Sequence, residues 1–108
     1  MGLNYVIAVV RADALEGVER GLIDVGVRGL TVIKVKGYGK HANFFTRDWL
    51  SEEAKIEIVA EDAKVEAIVN AIIDAAHTGD LGDGIVTVLP VEKFYRIRTR
   101  SEGLPDAA

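Results

Sequence analysis

The residues of this chain best suited to chemistry are a glycine-rich segment, 78–84 (TGDLGDG), and a basic segment, 96–100 (RIRTR). Three glycines within seven residues allow a tight turn whose backbone N–H groups point outward. Arginine occupies every second position of the basic segment, so an extended chain would place all three guanidiniums on one face. Because backbone amides and guanidiniums are complementary ways to hold phosphate, the two segments together predict a phosphate-binding site.

Each segment also has a simpler interpretation, and the residues alone leave both open. Residues 78–84 lack the Gly-Lys-Ser/Thr ending of a P-loop, and their Asp-Gly pair is a strong turn signal. The arginines taken alone are typical of a solvated strand face. Residues 35–40 (VKGYGK) form a Gly-aromatic-Gly turn between lysines, which either joins the same site or ends a strand in a flexible loop.

Residues 40–54 carry three large aromatic side chains, Phe44, Phe45 and Trp49, on a stretch without sustained periodicity. Such side chains indicate either a contact with a partner or a small cluster folded back onto the domain. His41 and His77 are far apart in sequence and have no metal-ligand pattern around them. No Ser/His/Asp or paired-carboxylate motif stands out, so we expect no metal site and no enzymatic activity.

The composition limits the class of protein. The 108 residues suffice for one domain with one modest core, so we expect a single domain over residues 1–108. A net charge of −4 argues against non-specific nucleic-acid binding. The absence of cysteine excludes disulfides and thiolate chemistry. The apolar residues 3–10 are too few to span a bilayer, so we expect a cytoplasmic protein without direct membrane insertion.

The predicted elements follow the order βαβ twice. Strands are predicted at residues 3–11, 30–36, 55–60 and 85–91, with a short extra strand at 95–99. Two helices are predicted, capped by Asp13 and Asp62 and ended by Gly26 and Gly79. This order predicts an α+β, ferredoxin-like fold with a four-stranded antiparallel sheet and both helices on one face. Because several strands are apolar on both sides, we expect copies to associate through the bare sheet face.

Five segments resemble the PII signal-transduction family of nitrogen-regulatory and PII-like proteins. They are residues 18–32 (VERGLIDVGVRGLTV), 35–40 (VKGYGK), 55–62 (KIEIVAED), 71–84 (AIIDAAHTGDLGDG) and 88–100 (VLPVEKFYRIRTR). The resemblance covers nearly the whole chain and implies a homotrimer with adenine-nucleotide sites in the clefts between subunits. It also implies a T-loop, residues 37–54, that changes shape with the ligand and binds a target such as a membrane transporter or an enzyme.

The resemblance also assigns individual residues to the nucleotide. Near the adenine it places Thr31 and Val59, and at the base of the T-loop it places Gly37, Tyr38, Gly39 and Lys40. In the B-loop, residues 78–85, the phosphate side is matched by Gly82, Asp83 and Gly84. In the C-terminal segment, residues 92–108, the arginines that clamp phosphates across the cleft are matched by Arg96 and Arg98.

Departures from the family pattern change the expected ligand. His41 replaces a Gln that helps to bind magnesium and 2-oxoglutarate, Ile85 replaces a phosphate-binding Lys, and Glu53 replaces a T-loop Lys. The loop is also shorter and lacks the tyrosine that is uridylylated in the family. Because lost cations weaken the binding of a highly charged ligand, we do not expect 2-oxoglutarate sensing with magnesium. We expect ADP, AMP or a related nucleotide such as ATP, alone or beside a small anion such as bicarbonate.

Two other functions stay open at this point. A small phosphohydrolase would use the same glycine loop and arginines, although no residue plainly positions water or magnesium. A CutA-like trimeric metal-tolerance module would share the architecture and bind metal through His41 or His77. A turnover assay with ATP and a titration with copper or zinc distinguish these from a nucleotide sensor.

Overall fold

The computed structural model describes residues 2–38 and 50–104. The elements are β1 (Leu3–Arg11), a 3-10 turn (Ala12–Ala14), α1 (Leu15–Asp24), β2 (Thr31–Tyr38), β3 (Leu50–Glu61), α2 (Asp62–Ala76), β4 (Gly84–Val91), β5 (Tyr95–Arg96) and β6 (Ser101–Glu102). The first four strands form one antiparallel sheet in the order β2-β3-β1-β4, and β5 pairs with β6 separately. The predicted ferredoxin-like α+β fold is confirmed.

The core lies between one face of the sheet and the two helices. Every second residue of β1 from Val6 is buried, and the residues that pair with these on β3 are buried too. This alternation is what a strand with one buried face requires. The fully buried larger side chains are all aliphatic and come from the sheet and both helices: Val6, Val10, Val18, Leu22, Ile56, Ile68 and Ile72.

The opposite sheet face also carries apolar side chains, as the sequence predicts. In β1 the residues that alternate with the buried ones, among them Tyr5 and Val9, are half-buried. On the outer strands Ile33 exposes 41%, Leu89 44% and Ile85 64% of its surface. An apolar face of this kind favours coverage by another copy of the chain.

Two strands are longer than predicted. β3 begins at Leu50 instead of residue 55, and β2 continues to Tyr38 instead of ending at residue 36. The two strands pair as far as Tyr38 with Leu50, so both ends of the predicted loop 37–54 belong to a hairpin. The polar residues 51–53 have no alternation that indicates a strand, but pairing with a neighbour holds them extended.

Several predicted functional residues of the T-loop lie outside the described residues, which exclude 39–49. These are Gly39, Lys40, His41, Phe44, Phe45 and Trp49.

The predicted helix caps are wrong, because the carboxylates of Asp13 and Asp62 accept hydrogen bonds from other groups. Asp13 lies inside the 3-10 turn and accepts from Arg11 Nη1 at 2.8 Å. Asp62 is the first residue of α2 and accepts from the N–H of Gly2 at 3.1 Å and from the amide of Asn4. Neither helix has a side-chain cap at its N-terminus.

Of the two predicted helix ends, one is confirmed. Gly26 follows the last turn of α1 with φ +93°, a conformation that favours glycine. The second helix ends at Ala76, three residues before Gly79, because His77 already leaves it in an extended conformation.

The predicted extended strand at residues 95–99 is also wrong. Only Tyr95 and Arg96 are extended, and residues 97–100 form a turn that brings the chain back to pair with them. Arg100 has φ +58°, and its N–H donates to the carbonyl of Ile97 at 3.2 Å. The three arginines therefore do not share one strand face. A non-glycine residue in this left-handed region is uncommon, and a pattern of alternating arginines does not indicate it.

Candidate functional site

The glycine-rich segment 78–84 joins α2 to β4, and one carboxylate organises it. The Asp83 carboxylate accepts hydrogen bonds from the Thr78 hydroxyl, from the Thr78 N–H at 2.7 Å and from the Gly79 N–H at 2.9 Å. The Thr78 hydroxyl also accepts the N–H of Asp80 at 3.1 Å. The hydrogen bonds from Thr78, aided by Gly79 and the nearby Arg11, lower the pKa of Asp83 from 3.8 to about 2. An ionised Asp83 therefore fixes the first half of the loop.

This lowered pKa predicts an acid-dependent contribution of Asp83 to stability. The contribution is fully present above the unfolded-state pKa of 3.8 and is lost as the pH falls from there toward 2. In urea unfolding, we expect wild type to be more stable than Asp83→Asn at pH 7, with a gap that narrows as the pH falls below 4. A gap of the same size at pH 7 and pH 3 would contradict this role.

All three glycines of the loop have backbone conformations that side chains rarely adopt, and two of them lie in its second half. Gly82 has φ +95° and Gly84 has φ +111°. A Cβ on Gly84 would lie 2.0 Å from the carbonyl oxygen of Val9, so β1 leaves no room for any other residue there. The loop thus lies directly against the end of β1. Only glycine allows the two backbones to approach this closely.

Arg11, which sequence reasoning missed, ties this loop to the rest of the domain. Its Nη2 donates to the carbonyl of Ala76 at 3.1 Å, and its Nε lies 3.8 Å from Asp83 Oδ1. The Nε is buried and makes no hydrogen bond. Arg11 therefore joins the ends of β1 and α2 to the carboxylate that shapes the loop. The available signal was a basic residue at the end of a buried strand.

A cavity of about 560 Å³ lies at the other end of the sheet. It brings together three predicted site residues, Thr31 from β2, Val59 from β3 and Arg96 from β5. The further lining residues include four that sequence reasoning did not assign to the site, Tyr5, Glu57, Lys93 and Phe94. The volume lies within the ordinary range for small-molecule sites, and the lining combines apolar walls with a few polar groups.

Polar groups of this cavity are held in defined positions. Arg96 donates through Nε and Nη2 to the carbonyl of Leu104 at 3.1 and 3.0 Å, and its guanidinium lies 5.7 Å from the centre of the Phe94 ring. The Tyr5 hydroxyl donates to Glu57, and this bond raises the pKa of Tyr5. The cavity can therefore offer a cation, a carboxylate and the Thr31 hydroxyl to one ligand.

The predicted site residues fall into two groups at opposite ends of the sheet. Gly84 pairs with Val10 of β1, whereas Val59 pairs with Tyr5 of the same strand. Five residues of a strand span about 17 Å, so the glycine loop and the cavity are that far apart along β1. Within one copy, the glycines predicted to hold phosphate and the cavity that contains the predicted adenine-side residues do not form one cleft.

Gly37 lies at the glycine-loop end of the sheet but on the far strand. It pairs with Ser51, beyond the last pair between β1 and β3, Arg11 with Glu53. A Cβ on Gly37 would lie 2.9 Å from Glu53 Oε1. The single Ser51 hydroxyl proton is shared between Glu53 Oε1 at 3.0 Å and the Gly37 carbonyl at 3.3 Å. Glu53 thus covers the backbone at the start of the predicted T-loop. The strands of Gly37 and Gly84 lie three strand spacings apart, about 14 Å across the sheet, and Gly37 is also offset along the strands.

These features define a class of protein: a ferredoxin-like α+β domain with a cavity of small-molecule size at one end of its sheet and a glycine loop at the other. The family model described as "Nitrogen regulatory protein P-II" matches residues 3–101. The chain therefore belongs to the PII family of nitrogen regulatory proteins, which are signal-transduction proteins rather than enzymes. The predicted resemblance is confirmed.

Individual relatives agree with this assignment. The nitrogen regulatory protein P-II of Azospirillum brasilense is 39% identical over 104 residues, covering 89% of this chain and 92% of the relative. Nitrogen regulatory protein GlnK2 of Haloferax mediterranei is 38% identical over 110 residues, covering 94% and 89%. The crystal structure of Arabidopsis thaliana PII bound to citrate matches with a TM-score of 0.81 and 36% identity, over 94% of this chain and 89% of that one.

Within residues 2–38 and 50–104, neither helix has the length and apolar character needed to cross a membrane. The same part of the chain holds no group of three or more His, Cys, Asp or Glu side chains placed to bind a metal ion.

Proposed function

We propose that this PII protein is a homotrimeric sensor that binds an adenine nucleotide in clefts between its subunits and regulates a partner through its T-loop, residues 37–54. The observation that carries the proposal is the division of the site residues into two groups about 17 Å apart along β1. One copy would supply the adenine-side cavity with Arg96, and a second copy would supply Gly82, Asp83 and Gly84 for the phosphates.

The chemistry of the two groups suits the two ends of a nucleotide. The cavity offers Val59 as an apolar wall for a base, with the Thr31 hydroxyl and the Glu57 carboxylate available for hydrogen bonds. The loop offers backbone N–H groups in a conformation that glycine alone adopts readily, which is a common way to hold phosphate oxygens.

The charges around the loop favour a ligand with few phosphates. Ile85, which ends the loop, exposes 64% of its surface and brings no cation to the site. Arg11, the cation that contacts the loop from its own copy, already lies close to the carboxylates of Asp13 and Asp83. We therefore propose ADP or AMP as the preferred nucleotide over ATP with magnesium. The Arabidopsis PII whose structure matches is bound to citrate, which supports a small anion such as bicarbonate as a further effector.

Regulation would act through the hairpin that carries the T-loop. Because β2 and β3 continue into residues 37–38 and 50–54, a ligand at Gly37 would contact the root of that hairpin. Ligand binding that favours one loop conformation over another would shift the population that a target, such as a membrane transporter, recognises.

Calorimetric titration tests the nucleotide site. We expect wild type to bind ADP or AMP with a Kd of roughly micromolar order, and Arg96→Ala with Arg98→Ala to weaken binding at least about tenfold. The matched control is Arg20→Ala, because Arg20 lies on α1 in an exposed ion pair with Glu16. Arg98→Ala alone leaves the Arg96 hydrogen bonds to Leu104 in place, so any loss of affinity in that variant comes from the Arg98 side chain. A well-folded trimer without measurable affinity for AMP, ADP or ATP would refute the proposal.

A further inference from the structure

Ile97 exposes 95% of its surface. No other large apolar residue in the described part of the chain exposes as much. It begins the turn at residues 97–100, between the two arginines assigned to phosphate. Single exposed apolar residues are common, so exposure alone decides nothing. The position is informative because any contact that Ile97 makes also fixes where Arg96 and Arg98 lie.

An apolar groove of about 290 Å³ lies between α2 and β4, beside the glycine loop. Its walls include Val69 and Ile73 from α2, and Val86 from β4, which pairs with the buried Ala8 and so lies on the face that carries the helices. Ile73 exposes 47% of its surface. Asp83 also lines the groove, so the carboxylate that shapes the glycine loop stands at its edge.

Charge complementarity points to the turn of another copy as the occupant of this groove. Residues 96–100 carry three arginines and no acidic residue, whereas residues 78–86 carry Asp80 and Asp83 and no Lys or Arg. Arg96 lines the cavity that lies about 17 Å along β1 from Gly84. The turn of the same copy is therefore at the wrong end of the sheet, and a second copy can present its turn instead.

We propose that Ile97 of each subunit inserts into the groove of the next subunit and so positions Arg98 at that neighbour's glycine loop. This inference rests on the proposed function. It adds a contact that fixes the cavity of one subunit relative to the glycine loop of the next. A turn on one surface and a groove on another form a heterologous contact, which closes into a ring when the rotation between copies allows it. Ile97 is thus a positioning residue for the phosphate contact.

Disulfide cross-linking tests the contact directly, because the chain has no cysteine of its own. Two double variants are compared, Ile97→Cys with Ile73→Cys and Ile97→Cys with Val69→Cys, after mild oxidation and non-reducing electrophoresis. At least one pair should form covalent dimers and trimers that thiol reduces. The matched control is Ile97→Cys with Ile23→Cys, since Ile23 is 67% exposed on α1 and outside the groove.

The outcomes separate this inference from the proposed function. Cross-linked trimers from a groove pair and none from the control support the contact, even if no nucleotide binds. Chains that assemble but cross-link in neither groove pair, or no more than the control, overturn it. An intrachain disulfide in a groove pair would also overturn it, because the turn would then occupy its own groove.

A single substitution provides a second measurement. Ile97→Asp should weaken trimer assembly or reduce ADP affinity at least about tenfold, because a carboxylate at an apolar groove beside Asp83 is both desolvated and repelled. Ile23→Asp should leave sedimentation and ADP affinity unchanged. If Ile97→Asp matches wild type in both measurements, the positioning role is excluded.

Discussion

Replacing Gly84 with alanine is expected to destabilise the protein by about 4 kcal/mol, through backbone strain and overpacking acting together. The φ of +111° is one that alanine rarely adopts, and the new Cβ would lie 2.0 Å from the backbone oxygen of Val9. Relief requires β4 to move away from β1, which disturbs the central pairing of the sheet. Urea unfolding followed by circular dichroism measures the change, with aggregation on expression as its most severe form.

Gly79 provides the matched control for this substitution. It has a similar φ of +90°, but a Cβ at that position would meet nothing within 4 Å. Gly79→Ala should therefore cost about 1–2 kcal/mol, the backbone strain alone. Equal stabilities for the two variants would show that the close approach of β1 to residue 84 does not matter.

Replacing Asp83 with alanine is expected to reduce nucleotide affinity by at least about tenfold, since one or two lost charge-assisted contacts are sufficient for that. The carboxylate holds the Thr78 hydroxyl and the N–H groups of Thr78 and Gly79. Without it the loop samples other conformations, and the amides at residues 82–84 must be ordered when the ligand binds. Calorimetry on the folded variant measures the loss.

Asp80→Ala is the control for the Asp83 variant, because Asp80 enters the hydrogen bonds of the loop through its backbone N–H. It removes one acidic charge from the same loop and leaves that bond in place. ADP affinity within about twofold of wild type is expected for it. If both variants lose affinity equally, net charge rather than loop order determines binding.

Much of the fold was predictable because local pattern and tertiary burial agree. The alternation of β1 and the helical stripe through Ile68 and Ile72 each match a single buried face. The errors occur where tertiary contacts decide the outcome. Residues 51–53 are extended because β2 pairs with them. The Asp62 side chain accepts hydrogen bonds from Gly2 and Asn4 and does not cap its own helix.

The candidate site was predictable in its residue types but not in its geometry. The family resemblance assigned Thr31, Val59 and Arg96 to the site, and all three line one cavity. The turn at residues 97–100 was missed because a left-handed Arg100 has no signature among alternating arginines. Arg11 and Tyr5 were missed because the sequence of their strand is typical of a buried strand. Their hydrogen-bond partners, Ala76 and Glu57, are distant in sequence and are known only from the fold.

The hairpin that roots the T-loop has a thermodynamic consequence. Beyond the pair of Arg11 with Glu53, its strands continue through Gly37 with Ser51 and Tyr38 with Leu50 as a ribbon of two strands. A two-stranded ribbon is only marginally stable in water, so its conformations differ little in free energy. A preference of about 1.4 kcal/mol in ligand binding changes the ratio of two such conformations tenfold. If effectors bind at the ribbon's base as proposed, modest selectivity between the two conformations is enough to determine which form reaches a target.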